Sequence, residues 1–506
     1  MKKLIFLFFA INCFSQAPTI QWQKTYGGSE YDMAYTIKPT FDGGYIAAGV
    51  TSSIDGDVVS LHGNGEGWIV KVNNVGAIEW QKAIGGTNMD EVNSIWQTTD
   101  GGYIATGYSS SNNGDITLNQ GYEDLFVARL SATGSLLWMK TYGGSGWDEG
   151  TGIQQCTDGG FIVCGTTTSS NGNVSFNHGS DDFWLLKLNT DGNIQWEKTY
   201  GGTNSDNAFS LVQTKDGGYA ITGYTYSMNG DVTGNLNCAF WIVKTNGAGT
   251  LQWQKAVGSY SSISSYCIKQ TIDDGFIIAG DSSGVGGAVT VSYGNDDYWV
   301  VKLSAAGTLQ WQKSLGGTYR DIAYGIDQTS DGGYIVSGRS ESTDYDVLGN
   351  HGYDDYWIVK LNPTGAILWQ KSLGGTSNDE GREIHQTLDG GFIIAGRTST
   401  ATGDVTSVNG GGDFWIVKLN PDPLNTINFE KRNLTVYPNP TSSHIQLQLP
   451  EEVEIIKISV TDVLGKKVLE QFGNMTNLNI DSLSSGTYII QVFSSETTYH
   501  CKFIKE

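Results

Sequence analysis

Short alternating apolar runs, parted by glycine turns, recur along most of this chain. One copy shows the pattern. Ala208 to Thr214 alternates, and Lys215-Asp216-Gly217-Gly218 interrupts it. Tyr219 to Gly223 is a second run. A polar stretch from Thr225 to Ala239 leads to Phe240–Thr245, which is almost wholly apolar, and Asn246 to Gly249 breaks the pattern again. Leu251 to Val257 then alternates around Trp253. Period-two alternation bounded by turn residues predicts strands, so each copy predicts four. The tryptophan returns at Trp22, Trp80, Trp138, Trp196, Trp311 and Trp369, in steps of 58 residues apart from one of 57. A period that regular marks a repeat architecture.

Four short antiparallel strands per copy predict an all-β fold in which each copy is one blade of a β-propeller. Asp-Gly-Gly recurs at Asp42, Asp100, Asp158, Asp216, Asp331 and Asp389, and Asp-Gly supplies the positive φ of a tight hairpin turn. The tryptophan strand Ile20–Tyr26 has no copy before it. The last copy stops at Asn420 without its own tryptophan strand. Pairing the first with the last gives seven complete blades, a closed ring and no open sheet edge. Ile37 and its equivalents, and Trp68 with Phe126, Trp184, Trp241, Trp299, Trp357 and Trp415, are the predicted packing positions between blades. One blade cannot bury both faces alone, so stacking must supply the stability.

Composition narrows the function classes. A net charge of −22 argues against nucleic acid, which is bound through Lys and Arg on phosphates. Lys2 and Lys3 precede an apolar run ending near Ser15-Gln16-Ala17, which predicts a secretory signal peptide over 1–16. No later run approaches ~20 apolar residues, so no membrane span is expected. Cys156, Cys164, Cys238, Cys267 and Cys501 are odd in number and irregular in spacing, which predicts free thiols rather than a disulfide framework. The propeller is expected over 18–420 and a polar linker over 421–432.

From 433 to 506 the glycine turns thin out and the period disappears. Six short alternating runs, from Leu434–Tyr437 to Tyr499–Ile504, predict a small Ig-like β-sandwich. Val436-Tyr437-Pro438-Asn439-Pro440 is followed by Asp462-Val463-Leu464-Gly465-Lys466, then Gly486-Thr487-Tyr488 and a terminal Lys502 and Lys505. This combination resembles the type A C-terminal sorting domain of the Bacteroidetes type IX secretion system. The resemblance implies export by that machinery, with the protein released or held at the cell surface on lipopolysaccharide. The repeats resemble a glycine-rich propeller family found with such tails, which implies no particular activity.

Candidate chemistry lies in the loops and around the ring axis. Asp55, Asp57 and Glu66 stand at relative positions 1, 3 and 12, as do Asp344, Asp346 and Asp355. Calcium loops place oxygen ligands at such offsets. The other reading is Asx turns and strand-end caps, repeated because every blade needs them. His62, His178 and His351 share one loop position in three separated copies, too scattered for one metal. Gly280-Asp281-Ser282-Ser283-Gly284 matches G-x-S-x-G without a following helix, so it reads as coincidence.

Recurring residues serve the fold, and a ligand site breaks the recurrence. One first-strand position reads Lys38, Trp96, Gln154, Val212, Lys269, Asp327 and His385 around the ring, where side chains would crowd a central channel. Arg320 and Arg382 cluster with two other arginines in the last two copies. Trp147 and Tyr260 are unusual aromatics between copies. The expected function is an exported, non-enzymatic binding protein with a glycan or protein ligand and no catalytic residues. The alternative is a polysaccharide hydrolase using loop carboxylates, with Asp148-Glu149, Asp90-Glu91 and Asp379-Glu380 as first candidates.

Overall fold

The computed structural model describes residues 16–63, 65–234, 237–259, 261–423, 434–449, 455–462, 467–473, 475–494 and 498–506. Most of the expected signal peptide, Tyr260, the segment 424–433 and the motif residues 463–466, including Gly465 and Lys466, lie outside them. The chain divides into two compact units, Met1–Pro423 and Leu424–Glu506.

The first unit is all-β, with seven four-stranded antiparallel sheets. Six sheets use four consecutive strands, such as Asp206–Gln213, Tyr219–Thr225, Cys238–Thr245 and Leu251–Ser259. The seventh takes Glu380–Gln386, Phe392–Thr398 and Asp413–Leu419, and its fourth strand is Ile20–Tyr26 from the opposite end of the unit. Thr25 pairs with Trp415 and Tyr26 with Phe414. Gln23 accepts from the Trp415 indole at 2.8 Å, as Gln370 does for Trp357 at 2.9 Å and Gln312 for Trp299 at 2.8 Å.

The sheets pack face to face through the third strands. Trp68, Trp184, Trp241, Trp299, Trp357 and Trp415 are fully buried. Each of several meets an aromatic ring of the preceding sheet: Phe240 lies 4.5 Å from Trp299, Tyr298 4.5 Å from Trp357 and Tyr356 4.6 Å from Trp415. Phe414 of the seventh sheet meets Trp68 of the first at 4.7 Å. A buried aromatic contributes ~2–3 kcal/mol by area, plus ~0.5–1.5 kcal/mol for the ring pair.

A second recurring device stands behind the Asp-Gly-Gly turns. Lys71, Lys187, Lys244, Lys302, Lys360 and Lys418 are buried, and Arg129 nearly so. Each ion-pairs with the aspartate of a turn, as Lys360 does with Asp331 at 2.9 Å. In the fifth sheet, whose turn lacks the first glycine, Asp274 adopts the positive φ of 61° itself. Trp369 has no third-to-fourth-strand turn to pack under, because the seventh sheet lacks one. Instead its indole donates to the buried Asp422 at 2.9 Å, within the stretch expected to begin the linker.

The second unit has a three-stranded and a four-stranded sheet. The strands include the runs expected between Leu434 and Ile504, plus Asn477–Asn479, which is too short to show a period. Ile445, Leu447, Ile458, Val460, Leu478, Ile490 and Phe503 form its core. Asn439 clasps the last strand: its amide donates to the Lys502 carbonyl at 3.1 Å and its oxygen accepts from the Ile504 amide at 2.9 Å. Tyr488 stacks on Phe503 and donates to the Ser484 carbonyl at 2.8 Å. Among the described residues the five cysteines after Cys13 are free, and no helix is long and apolar enough to cross a membrane.

Candidate functional site

The first strands of all seven sheets line one cavity of about 380 Å³. Each of these strands carries a bulge near its third to fifth residues, as between Ala34 and Thr36 or Ser265 and Cys267. A bulge leaves one residue out of the ladder and re-aims it. The residues so displaced are Tyr35, Asn93, Thr151, Phe209, Tyr266 and Tyr324, and all of them line the cavity. The opposing second-strand residue is always glycine. At Gly223 an added Cβ would lie 1.7 Å from the Asn207 carbonyl oxygen, so only glycine admits this approach.

Beyond the bulge, Lys38, Trp96, Gln154 and Lys269 also face the cavity. Lys38 is tied down by Glu383, which also accepts from Thr36 Oγ1 at 2.7 Å and the Ile37 amide at 3.0 Å. His385 bridges this group, with Nε2 3.1 Å from Glu383 and Nδ1 3.1 Å from Asp327. Lys269 differs: its nearest anion is Glu383 at 4.0 Å, and it makes no hydrogen bond to a described residue. Arg382 pairs with Glu380 at 2.6 Å and lies 3.9 Å over the Tyr324 ring. The structure thus brings Lys38, Trp96, Gln154, Lys269, Asp327, His385 and Arg382 together. Arg320 lies apart, half-exposed on Asp296 at 2.9 Å. Trp147 is exposed and stacks on Tyr122 at 5.0 Å.

Glu383 was missed by the sequence reading, as were Glu91 and Glu149 as lining residues. Glu91 and Glu149 follow the buried first-strand aspartates and reach the cavity. Burial raises the Glu91 carboxyl above the ordinary range, against the pull of the Tyr108 and Tyr35 hydroxyls beside it. Glu149 has no hydrogen-bond partner among the described residues. Burial, then Glu123, Glu91 and Asp181, push it up to about 7.

The recurring aspartates are committed to the fold. Asp148 accepts from the Gly144 amide at 2.8 Å, Ser169 Oγ at 2.7 Å and the Thr167 hydroxyl, and Asp90 has the same three kinds of partner. Asp379 accepts from Gly375 N at 2.6 Å. The calcium candidates are also backbone acceptors: Asp55 takes the Ser29 amide, Asp57 the Gly27 amide and Asp344 the Thr318 amide. Glu66 takes the Gly63 amide, and Asp355 takes the His351 amide and ring. Asp346 is largely buried and bonded to Gly316, with its carboxyl raised by burial. Among the described residues no three His, Cys, Asp or Glu side chains converge to hold a metal ion.

Two populations of carboxyl give the fold a pH optimum. Asp281 and Asp321 stand at about 7, raised chiefly by burial, with Glu149. The folded chain therefore holds protons that the unfolded chain has released above ~4, and stability falls as pH rises from ~4 to ~7. The turn aspartates oppose this. Burial pulls them up, but the lysine, threonine and glycine donors pull them further down, to about 2 for Asp42 and Asp216. Their contribution is present above ~4 and lost as pH falls towards 2. Thermal melts are expected to show the highest midpoint near pH 4–5, with a lower one at pH 8 and at pH 2.5.

Comparison with known proteins addresses the second unit. Residues 435–506 match the family described as the secretion system C-terminal sorting domain. The second unit is a type IX sorting domain. Its match begins at the strand that opens this unit, and the chain ahead of it is cargo with propeller-like repeats. The sorting domain places the protein in the type IX export route, and so at the cell surface or outside the cell. No curated protein matches the chain. Among solved structures it is similar to PorZ, a bacterial surface component of the type IX system of Porphyromonas gingivalis, at 11% identity and a TM-score of 0.40. That likeness covers 97% of this chain and 61% of PorZ, so the chain spans under two thirds of that structure. It is also similar to the Pan2 WD40 domain of Neurospora crassa, at 10% identity and a TM-score of 0.45, over 81% of this chain and 98% of that one.

Proposed function

We propose that the seven sheets are the blades of a closed propeller over 18–420, preceded by a cleaved signal peptide and followed by a linker and the sorting domain. On this reading the exported protein is a non-enzymatic binding protein, and its ligand occupies the central channel. The carrying observation is the contrast between repeated and unrepeated positions. Carboxylates that recur are held by backbone and hydroxyl donors, although one buried oxygen of Asp124, Asp182, Asp297, Asp355, Asp379 and Asp413 has no partner among the described residues, whereas the cavity is lined by Lys38, Trp96, Gln154, Lys269 and Arg382, which do not recur. A concave site with apolar walls and a few convergent polar groups is the usual form of a ligand pocket, and 380 Å³ suits a small molecule or a chain end.

The test is binding of the full secreted chain to glycan and surface-protein arrays, repeated with Trp96→Ala. Retained ligands that Trp96→Ala weakens at least tenfold support the reading. One observation favours a hydrolase instead: Glu149 and Glu91, two carboxyls raised by burial, both line the cavity, and glycosidases act through a pair of carboxyl groups. Sugar release that disappears in Glu149→Gln would overturn the non-enzymatic reading.

A further inference from the structure

Among the described residues, Lys269 and Glu149 line the cavity without a hydrogen-bond partner, and they differ in kind. Lys269 offers three donors and meets only Glu383, at 4.0 Å. Its neighbour Lys38 is already consumed by Glu383 and His385. Arg382 pairs with Glu380 and lies over the Tyr324 ring but keeps a buried Nε without a partner among the described residues, so Lys269 and Arg382 are the two cavity cations with donors to spare. Glu149 comes from a different sheet and also has no hydrogen-bond partner among the described residues, whereas the hydroxyls of Tyr108 and Tyr35 stand beside Glu91. Unmade hydrogen bonds on half-buried groups are costly, and a ligand that makes both recovers that cost.

The surroundings of Glu149 add an independent feature. Trp147, two residues before it, forms a bridge with Glu123 across the loops. Its ring stacks with that of Tyr122, 26° from parallel, and both remain more than half exposed. At the equivalent of Trp147 the other sheets carry Tyr31, Met89, Ser205, Ser262, Arg320 and Asn378, so the tryptophan is peculiar to this one. A flat pair of exposed rings beside hydrogen-bonding groups suits the apolar face of a sugar. It does not suit free glutamate, which has no such face.

Resting on the reading of the channel as a ligand site, we propose that it takes the end of an acidic saccharide. A uronate carboxylate is held by Lys269, hydroxyls meet Glu149 and Asn93, and the next sugar leaves across Trp147 and Tyr122. No bond is made or broken. The cavity of about 380 Å³ has room for a terminal residue, and the aromatic platform is not part of its lining.

The experiment is calorimetric titration of the full secreted chain with trisaccharides of galacturonate, glucuronate and mannuronate, their neutral counterparts, and free glutamate. At least one uronate trisaccharide is expected to bind tenfold or more tighter than its neutral counterpart. Lys269→Met is expected to erase that difference, and Glu149→Gln to weaken acidic and neutral forms alike. Replacing Tyr122 and Trp147 by alanine should weaken the trisaccharide severalfold but leave the single uronic acid unchanged; both residues are exposed, so the fold tolerates the change. Equal affinity for acidic and neutral sugars, a preference that survives Lys269→Met, or tighter binding of glutamate would each overturn the inference. The two readings fail separately. If an array ligand responds to Trp96→Ala while no uronate is preferred, only this inference falls. If nothing responds to Trp96→Ala, the channel reading falls with it.

Discussion

A chain lacking Ala17–Tyr26 is expected to lose its cooperative melt and to self-associate. This segment supplies the outer strand of the seventh sheet, 400 residues away in sequence, with Ile20 paired to Leu419 and Tyr26 to Phe414. Its removal strips Gln23 from the Trp415 indole and takes away Tyr26, which is buried and donates to the Gly76 carbonyl at 2.6 Å. The buried tyrosine contributes ~2–3 kcal/mol and each ladder hydrogen bond ~0.5–1.5 kcal/mol. Together these approach the ~5–15 kcal/mol by which whole domains are stable. The strand Asp413–Leu419 would become an open, apolar edge, a template for pairing between molecules. Calorimetry and size-exclusion chromatography read both effects. An unchanged midpoint with a monomeric profile would show that the first strand is dispensable.

Asp331→Ala is the second large effect. Lys360 is fully buried, and its ammonium donates to both Asp331 oxygens at 2.9 and 3.0 Å, to Thr329 Oγ1 at 2.9 Å and to the Leu361 carbonyl at 3.3 Å. Removing one partner of a buried pair costs ~3–5 kcal/mol, because the other charge is left uncompensated. Asp331 is about one-third exposed, and Thr329 and Leu361 remain as acceptors, so the lower end, ~3 kcal/mol, is expected. Lys360→Met in the same chain removes the stranded charge and should restore most of the loss. Lys215→Ala is the control: its pair with Asp274 is 60% exposed on both sides, and it should change stability by less than ~1 kcal/mol. Chemical denaturation of the four chains measures all of this. Equal effects of Asp331→Ala and Lys215→Ala would contradict it.

Most of the fold was legible because the repeats state it many times over. Trp415 and Ile20–Tyr26 implied their pairing by simple counting, since each was the piece the other lacked. The buried lysines were equally repeated but escaped notice, because a lysine in an apolar strand reads as a solvent-facing residue until its turn aspartate is found behind it. The site was half legible. Lys38, Trp96, Gln154, Lys269, Asp327 and His385 stood out as the position that varies among constant neighbours. Tyr35, Phe209, Tyr266 and Tyr324 did not, because strict alternation from Lys38 assigns Tyr35 to the opposite face. The bulge puts both on the same side, and its sign in sequence is the second-strand glycine that faces it, at Gly49, Gly107, Gly165 and Gly223. The aspartate spacing of the long loops suggested calcium because Asx acceptors and metal ligands draw on the same residue type at short intervals.

The channel exists only if the ring is shut, and the chain carries its own control for that. Ile20–Tyr26 reads Ile-Gln-Trp-Gln-Lys-Thr-Tyr and Ile194–Tyr200 reads Ile-Gln-Trp-Glu-Lys-Thr-Tyr, the same strand at a terminus and inside the repeats. Hydrogen exchange of the two peptides, compared in one native protein, measures closure directly. Matching slow exchange is the predicted result. Exchange of Ile20–Tyr26 at the rate of a free chain end, with Ile194–Tyr200 protected, would contradict it.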